Sequence, residues 1–78
     1  MEERLLRILS DICDEELGKE DLDLDLMEEG LLDSLAFVEL TVALEDEFHV
    51  SLPPTEYEKE SFATVRKIEK ILSEKGVS

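Results

Sequence analysis

In LLDSLAFVEL, residues 31–40, a serine stands between an acid and a leucine where a loop gives way to a helix. A hydroxyl there has three chemical uses: it can cap the helix, act as a nucleophile, or take up a group that another enzyme attaches. Nucleophilic catalysis needs a base, and His49 is the only histidine. It lies about four helical turns from Ser34, roughly 20 Å along the axis, so the two cannot share a proton. The residue reads instead as a surface side chain at a helix end. Cys13 has no cationic neighbour in sequence to activate it and reads as packing at the edge of a helix.

Asp21, Asp23 and Asp25 have the spacing of the first three ligands of an EF-hand loop. The sixth position should be Gly and is Leu26; the twelfth should be Glu and is Leu32. A specific calcium site is therefore not expected, although the acids can gather divalent ions diffusely. The Thr55-Glu56-Tyr57 stretch reads as a short solvated turn. With no Gly-rich phosphate loop and no Cys/His cluster, little remains from which to build a self-sufficient enzyme.

Capping explains Ser34 only weakly. A capping box needs Glu or Gln three residues on, where Phe37 stands, and Asp33 could cap equally well. Attachment uses the same geometry to more purpose. A hydroxyl on an exposed loop edge is reachable by a second enzyme. A phosphodiester formed on it would lie at the positive end of the helix dipole, near free backbone N–H groups.

The elements that position this serine follow from apolar spacing. Leu5, Ile8, Leu9 and Ile12 predict a helix over 2–14, and Val65, Ile68, Ile71 and Leu72 predict another to about 74, with Gly76 at its stop. Residues 15–33 read as a long acidic loop. Its DLDLDL run (21–26) alternates like a strand but has no evident partner, so its leucines are expected to tuck onto a helical core. Residues 34–48 form the central helix. Pro53 and Pro54 then impose an extended segment, and 55–60 are expected to make one or two helical turns capped by Thr55. The expected fold class is all-α, a small four-helix bundle of three main helices plus one short one, with a long first loop, in a single domain over 1–78.

The helix over 34–48 carries two apolar stripes. Phe37, Leu40, Leu44 and Phe48 fall on one side, enough to anchor a core. Leu35, Val38 and Val42 fall nearly opposite, flanked by Glu39, Glu45 and Asp46. A surface helix ordinarily has one stripe and a polar back. Either both stripes are buried in a wrapped bundle, or the second is a docking surface with acids set to meet a basic partner. That the second stripe begins beside Ser34 favours docking.

Composition narrows the class further. Across 78 residues the net charge is −14, and residues 11–58 hold seventeen acids against one base, Lys19. Such a field repels nucleic acid and anionic membranes and steers basic protein surfaces toward the chain. It also strains the fold, so added salt is expected to raise the melting temperature. The lone cysteine, the lack of a spanning apolar run and the acidic amphipathic N-terminus together lead to the expectation of a soluble, cytoplasmic monomer without a signal peptide.

The DSL triplet, followed by VEL, ALE and EF and then a Pro-containing extended segment, resembles the acyl carrier protein family over nearly the whole chain. The resemblance implies an acyl-carrier-like bundle with 4′-phosphopantetheine joined to Ser34 by a phosphopantetheinyl transferase, from coenzyme A and with that enzyme's magnesium ion. The arm's thiol would carry an acyl or aminoacyl group between a loading ligase and a downstream acyltransferase or synthase. Asp33 matches the motif aspartate and would assist the transferase complex. Leu35, Val38, Glu39, Val42, Glu45 and Asp46 match the family's docking positions. The chain itself would be a non-catalytic carrier and hold no metal of its own.

Two features depart from the fatty-acid type. GLLDS stands where a Gly-Ala-Asp-Ser-like approach is more usual, and Phe37 stands where a small residue often does. PPTEYEKESFATV (53–65) is more similar to the D-alanyl carrier proteins of teichoic-acid modification. A small polar cargo such as alanine needs no internal pocket, and Phe37, Tyr57 and Phe62 could fill one or line one. The expected cargo is aminoacyl or otherwise specialised. The alternatives are a fatty-acid or polyketide carrier and, from another class, an acidic helical interaction module with no prosthetic group.

Overall fold

The computed structural model describes residues 1–77. Its main elements are the helices α1 (Glu2–Cys13), α2 (Ser34–Phe48) and α3 (Val65–Glu74), with 3₁₀ turns at Lys19–Asp21 and Lys59–Phe62. The all-α expectation holds, the short fourth element being the second 3₁₀ turn. Among the described residues no helix is long and apolar enough to cross a membrane.

α1 buries Leu5, Leu6 and Leu9, the i, i+1, i+4 positions of one helical face. It ends at Asp14, which takes up the left-handed conformation (φ 52°) that Asp tolerates better than most non-glycine residues. Ser10 ties the exit down: its hydroxyl donates to the Leu6 carbonyl at 2.7 Å and accepts from the Leu17 amide at 3.0 Å.

The long loop follows its leucines. Leu26 is fully buried, and Leu22 and Leu24 are half-buried, so the alternating run forms no strand and instead pins the loop to the core. Backbone bonds from Leu26 N–H to the Ala63 carbonyl (2.7 Å) and from Arg66 N–H to the Leu22 carbonyl (3.1 Å) fasten it to the start of α3. Outside these, the Arg66 guanidinium hydrogen-bonds Asp23 and holds that carboxyl below its usual pKa.

α2 turns Phe37, Leu40 and Leu44 into the core and also buries Thr41, whose hydroxyl is satisfied by the Val38 carbonyl at 2.8 Å. Phe48 is only half-buried. The Arg4 guanidinium lies 4.7 Å above its ring and reaches on to the Glu47 carboxylate and carbonyl, at 2.7 and 3.0 Å, at the negative end of the helix.

One expected boundary is corrected. Thr55 caps no helix; it lies inside a tight turn closed by Glu56 N–H on the Pro53 carbonyl at 3.0 Å. Pro54 at the second position of that turn has its φ preset for it, so the chain bends here first and helical geometry begins only at Lys59, after Glu58. α3 is conventional by comparison. The Thr64 hydroxyl accepts from Lys67 N–H at 3.1 Å. Its far end closes with Gly76 at φ 89° and bonds from Gly76 and Val77 N–H to the Ser73 and Leu72 carbonyls, a Schellman motif.

Candidate functional site

Three consecutive exposed residues, Asp33, Ser34 and Leu35, are held between two anchors. Before them Leu32 is buried, and the amides of Leu31 and Leu32 both donate to the Leu26 carbonyl, at 2.9 and 3.1 Å. The turn into this pair passes through Gly30 at φ 73°, a conformation a side chain would strain. After them Phe37 is buried against Phe62, ring centroids 5.3 Å apart and nearly perpendicular. The serine is exposed, but its backbone is fixed from both sides.

Asp33, not Ser34, is the N-cap: its Oδ1 accepts from Ala36 N–H at 2.8 Å. Ser34 is the first residue of α2, and its hydroxyl is released from capping. What meets it instead is Lys59, whose Nζ donates to Ser34 Oγ at 3.1 Å. Lys59 did not figure among the sequence-based site residues. One signal was present, because Lys59 is the only Lys or Arg between residues 20 and 65.

Leu35, Val38 and Val42 are 69, 43 and 58% exposed. The reading in which both stripes of α2 are buried is thereby overturned. Glu39 and Asp46 are exposed beside the stripe, but Glu45 is half-buried and its carboxylate accepts from Leu52 N–H at 2.6 Å. Of the six expected docking residues, Glu45 is therefore occupied within the fold, where it fastens the extended segment to α2.

The remaining candidates are scattered. His49 is exposed at the opposite end of α2, in the left-handed conformation (φ 57°). Cys13 is half-buried; burial pushes its thiol pKa up and the Asp33 carboxylate adds to the shift, which disfavours the thiolate. Asp21 accepts from Gly18 N–H, Asp23 pairs with Arg66, and Asp25 accepts from the amides of Met27 and Glu28. The three acids thus serve three separate local contacts. Among the described residues no group of three or more His, Cys, Asp or Glu side chains is placed to hold a metal ion.

Tyr57 extends the aromatic cluster, 5.7 Å from Phe62 and edge-on to it. Phe37, Phe62 and Tyr57 pack upon one another at the junction of α2 and the second 3₁₀ turn.

Residues 3–72 match the family described as the phosphopantetheine attachment site. The chain is 46% identical over 68 residues to the D-alanyl carrier protein of Abiotrophia defectiva, covering 87% of this chain and 86% of that protein. It is 43% identical over 75 residues to the D-alanyl carrier protein of Lactococcus lactis subsp. cremoris (strain MG1363), covering 96 and 95%. To that of Bacillus subtilis (strain 168) it is 38% identical over 72 residues, covering 92% of each.

Proposed function

The chain belongs to the phosphopantetheine attachment-site family, and from that membership we propose that Ser34 bears the group and that the cargo is D-alanine. A member of this family is a carrier and not a catalyst; its bound 4′-phosphopantetheine supplies a thiol on a flexible arm, which holds cargo as a thioester. The residues at Ser34 suit that group. The hydroxyl is exposed and uncommitted to capping, and the Lys59 ammonium beside it offers positive charge to an anion. The single observation that carries the assignment is this uncapped hydroxyl at the first position of α2, held between buried Leu32 and Phe37.

Leu35, Val38 and Val42, with Glu39 and Asp46 at their edge, form the surface that a phosphopantetheinyl transferase, a loading ligase and a downstream acyltransferase would engage in turn. Asp33 orients the start of α2 for the transferase. The aromatic packing favours a small cargo, as do the names of the relatives. A free thiol at Cys13 and a strongly acidic surface fit residence in the cytoplasm.

Co-expression with a broad-specificity transferase and intact mass measurement tests the attachment. The wild type is expected to gain one phosphopantetheinyl group and Ser34→Ala none. A wild type that gains nothing, or a group that survives the substitution, overturns it. Incubating the loaded protein with a D-alanine-adenylating ligase should then add one alanyl residue on the thiol. Acceptance of a long fatty acyl group in its place would overturn the cargo.

A further inference from the structure

We propose that Lys59 is a positioning residue for the arm: its ammonium pairs with the phosphodiester formed on Ser34 and turns the root of the arm toward the second 3₁₀ turn. The inference rests on the attachment reading above and concerns what that reading leaves open, the direction in which the arm leaves the protein.

The geometry is already set before any group is attached. Lys59 Nζ lies 3.1 Å from Ser34 Oγ although 25 residues separate them in sequence. The approach is not an accident of a loose surface chain. Phe62, three residues beyond Lys59 in the same 3₁₀ turn, is fully buried and stacks edge-on against Phe37, three residues beyond Ser34 in α2. This aromatic pair locks the two backbones together. Lys59 itself is half-buried, so the lysine stem has a restricted space to explore.

The electrostatics supply the reason. A phosphodiester adds an anion directly beside the exposed Asp33 carboxylate, in a chain that already carries a net charge of −14. The helix N-terminus offsets part of that repulsion, but it acts along the axis and favours no lateral direction. Lys59 is a full charge set to one side. With no other Lys or Arg between residues 20 and 65, it is the cation that the structure brings to the serine oxygen. An anion built on that oxygen is drawn toward Lys59, and the arm begins over the 3₁₀ turn rather than over Leu35 and Val38. The docking stripe then remains clear for the partner enzyme while the cargo is held beside it.

The test uses holo protein, its loading established first by intact mass, for the wild type, Lys59→Gln and Lys59→Arg, with Lys67→Gln as a control on α3. A protein that fails to load speaks against Ser34 attachment and not against Lys59. On loaded samples, a nitroxide is joined to the arm's thiol and backbone amide broadening is read by NMR. The phosphorus resonance of the diester is recorded alongside.

The wild type is expected to broaden amides 57–62 selectively. Lys59→Gln should lose that selectivity and shift the phosphorus resonance, Lys59→Arg should retain both wild-type signatures, and Lys67→Gln should leave both unchanged. High salt should move the wild type toward the Gln variant, since screening shortens to about 3 Å at 1 M. An equal broadening pattern in wild type and Lys59→Gln overturns the proposal, and so does an arginine that fails to restore it. Because the Lys59 side chain is only half-buried, the fold should survive each change, and the amide spectrum reports directly if it does not.

Discussion

Along α3 the large apolar side chains all turn inward: Val65, Ile68 and Leu72 are buried and Ile71 half-buried, while Arg66, Lys67 and Lys70 are exposed. α2 spends its apolar residues on both sides. Phe37, Leu40 and Leu44 are buried, yet Leu35, Val38 and Val42 stand in water. Burying a Val or Leu side chain stabilises a fold by about 1.5–3 kcal/mol, and the outer stripe of α2 forgoes that gain. Folding accounts for the composition of α3 and for one side of α2. The other side of α2 is left exposed by the fold, runs along the helix from beside Ser34, and is the side proposed above to dock partner proteins.

Paired substitutions can break this contrast. The largest effect is expected within α2 itself. Leu44→Ala empties a fully buried position and should cost about 2–5 kcal/mol in denaturant unfolding. Val42→Ala should stay within about 0.5 kcal/mol of wild type while slowing loading by partner enzymes. A large stability loss at Val42 would mean that the outer stripe is structural after all.

The next contrast is between two neighbouring acids. Glu45→Ala removes the acceptor of the Leu52 amide and should cost about 1.5–3 kcal/mol, the range for a hydrogen bond to a charged group. Asp46→Ala should leave stability unchanged or slightly raised, since it relieves repulsion. Asp46→Lys, like Glu39→Lys, should slow transferase and ligase turnover chiefly through the on-rate, and less so at high salt. Equal kinetics at low salt would remove Asp46 and Glu39 from the docking surface.

The two N-caps separate stability from function at a smaller scale. Thr64→Ala on α3 and Asp33→Ala on α2 should each cost about 1 kcal/mol. Only the second is expected to lower the rate of phosphopantetheine attachment, read by mass against time.

The smallest effect belongs to Glu69 on α3. Partial burial raises its carboxyl pKa, and the nearby Glu2 carboxylate raises it further. The native state therefore holds this proton more tightly than the unfolded chain does, which penalises folding above the raised pKa. That penalty fades as the pH falls toward the ordinary value of 4.5. Glu69→Gln should be slightly more stable than wild type at pH 7, with the gap closing on acidification. A gap that widens instead would reverse the sign of the interaction.

Much of this could be read from residue order. Leu5, Leu9, Ile68 and Leu72 recur at helical spacing, and the spacing alone marks the buried faces. The second stripe of α2 was visible in the same way, and the serine proposed for attachment could be singled out from DSL and its flanking residues. Where the reading went astray or was left open, two local motifs competed. Thr55 is a good cap by type, but the preceding prolines fold a turn around it. Asp33 and Ser34 are both good caps, and residue type cannot choose between adjacent candidates. Glu45 was assigned to the surface from its helical angle, although its carboxylate is taken by an amide seven residues away.

Periodicity, charge and the DSL triplet are relations among residues within a few positions of one another, and the geometry of a helix converts them directly into faces. The Arg4 contact with Glu47 spans 43 residues and the Lys59 contact with Ser34 spans 25. No local rule reaches that far. Those partners are set by how Phe37 meets Phe62 and how α1 lies on α2, because a flexible charged side chain ends wherever the packed backbones leave its stem.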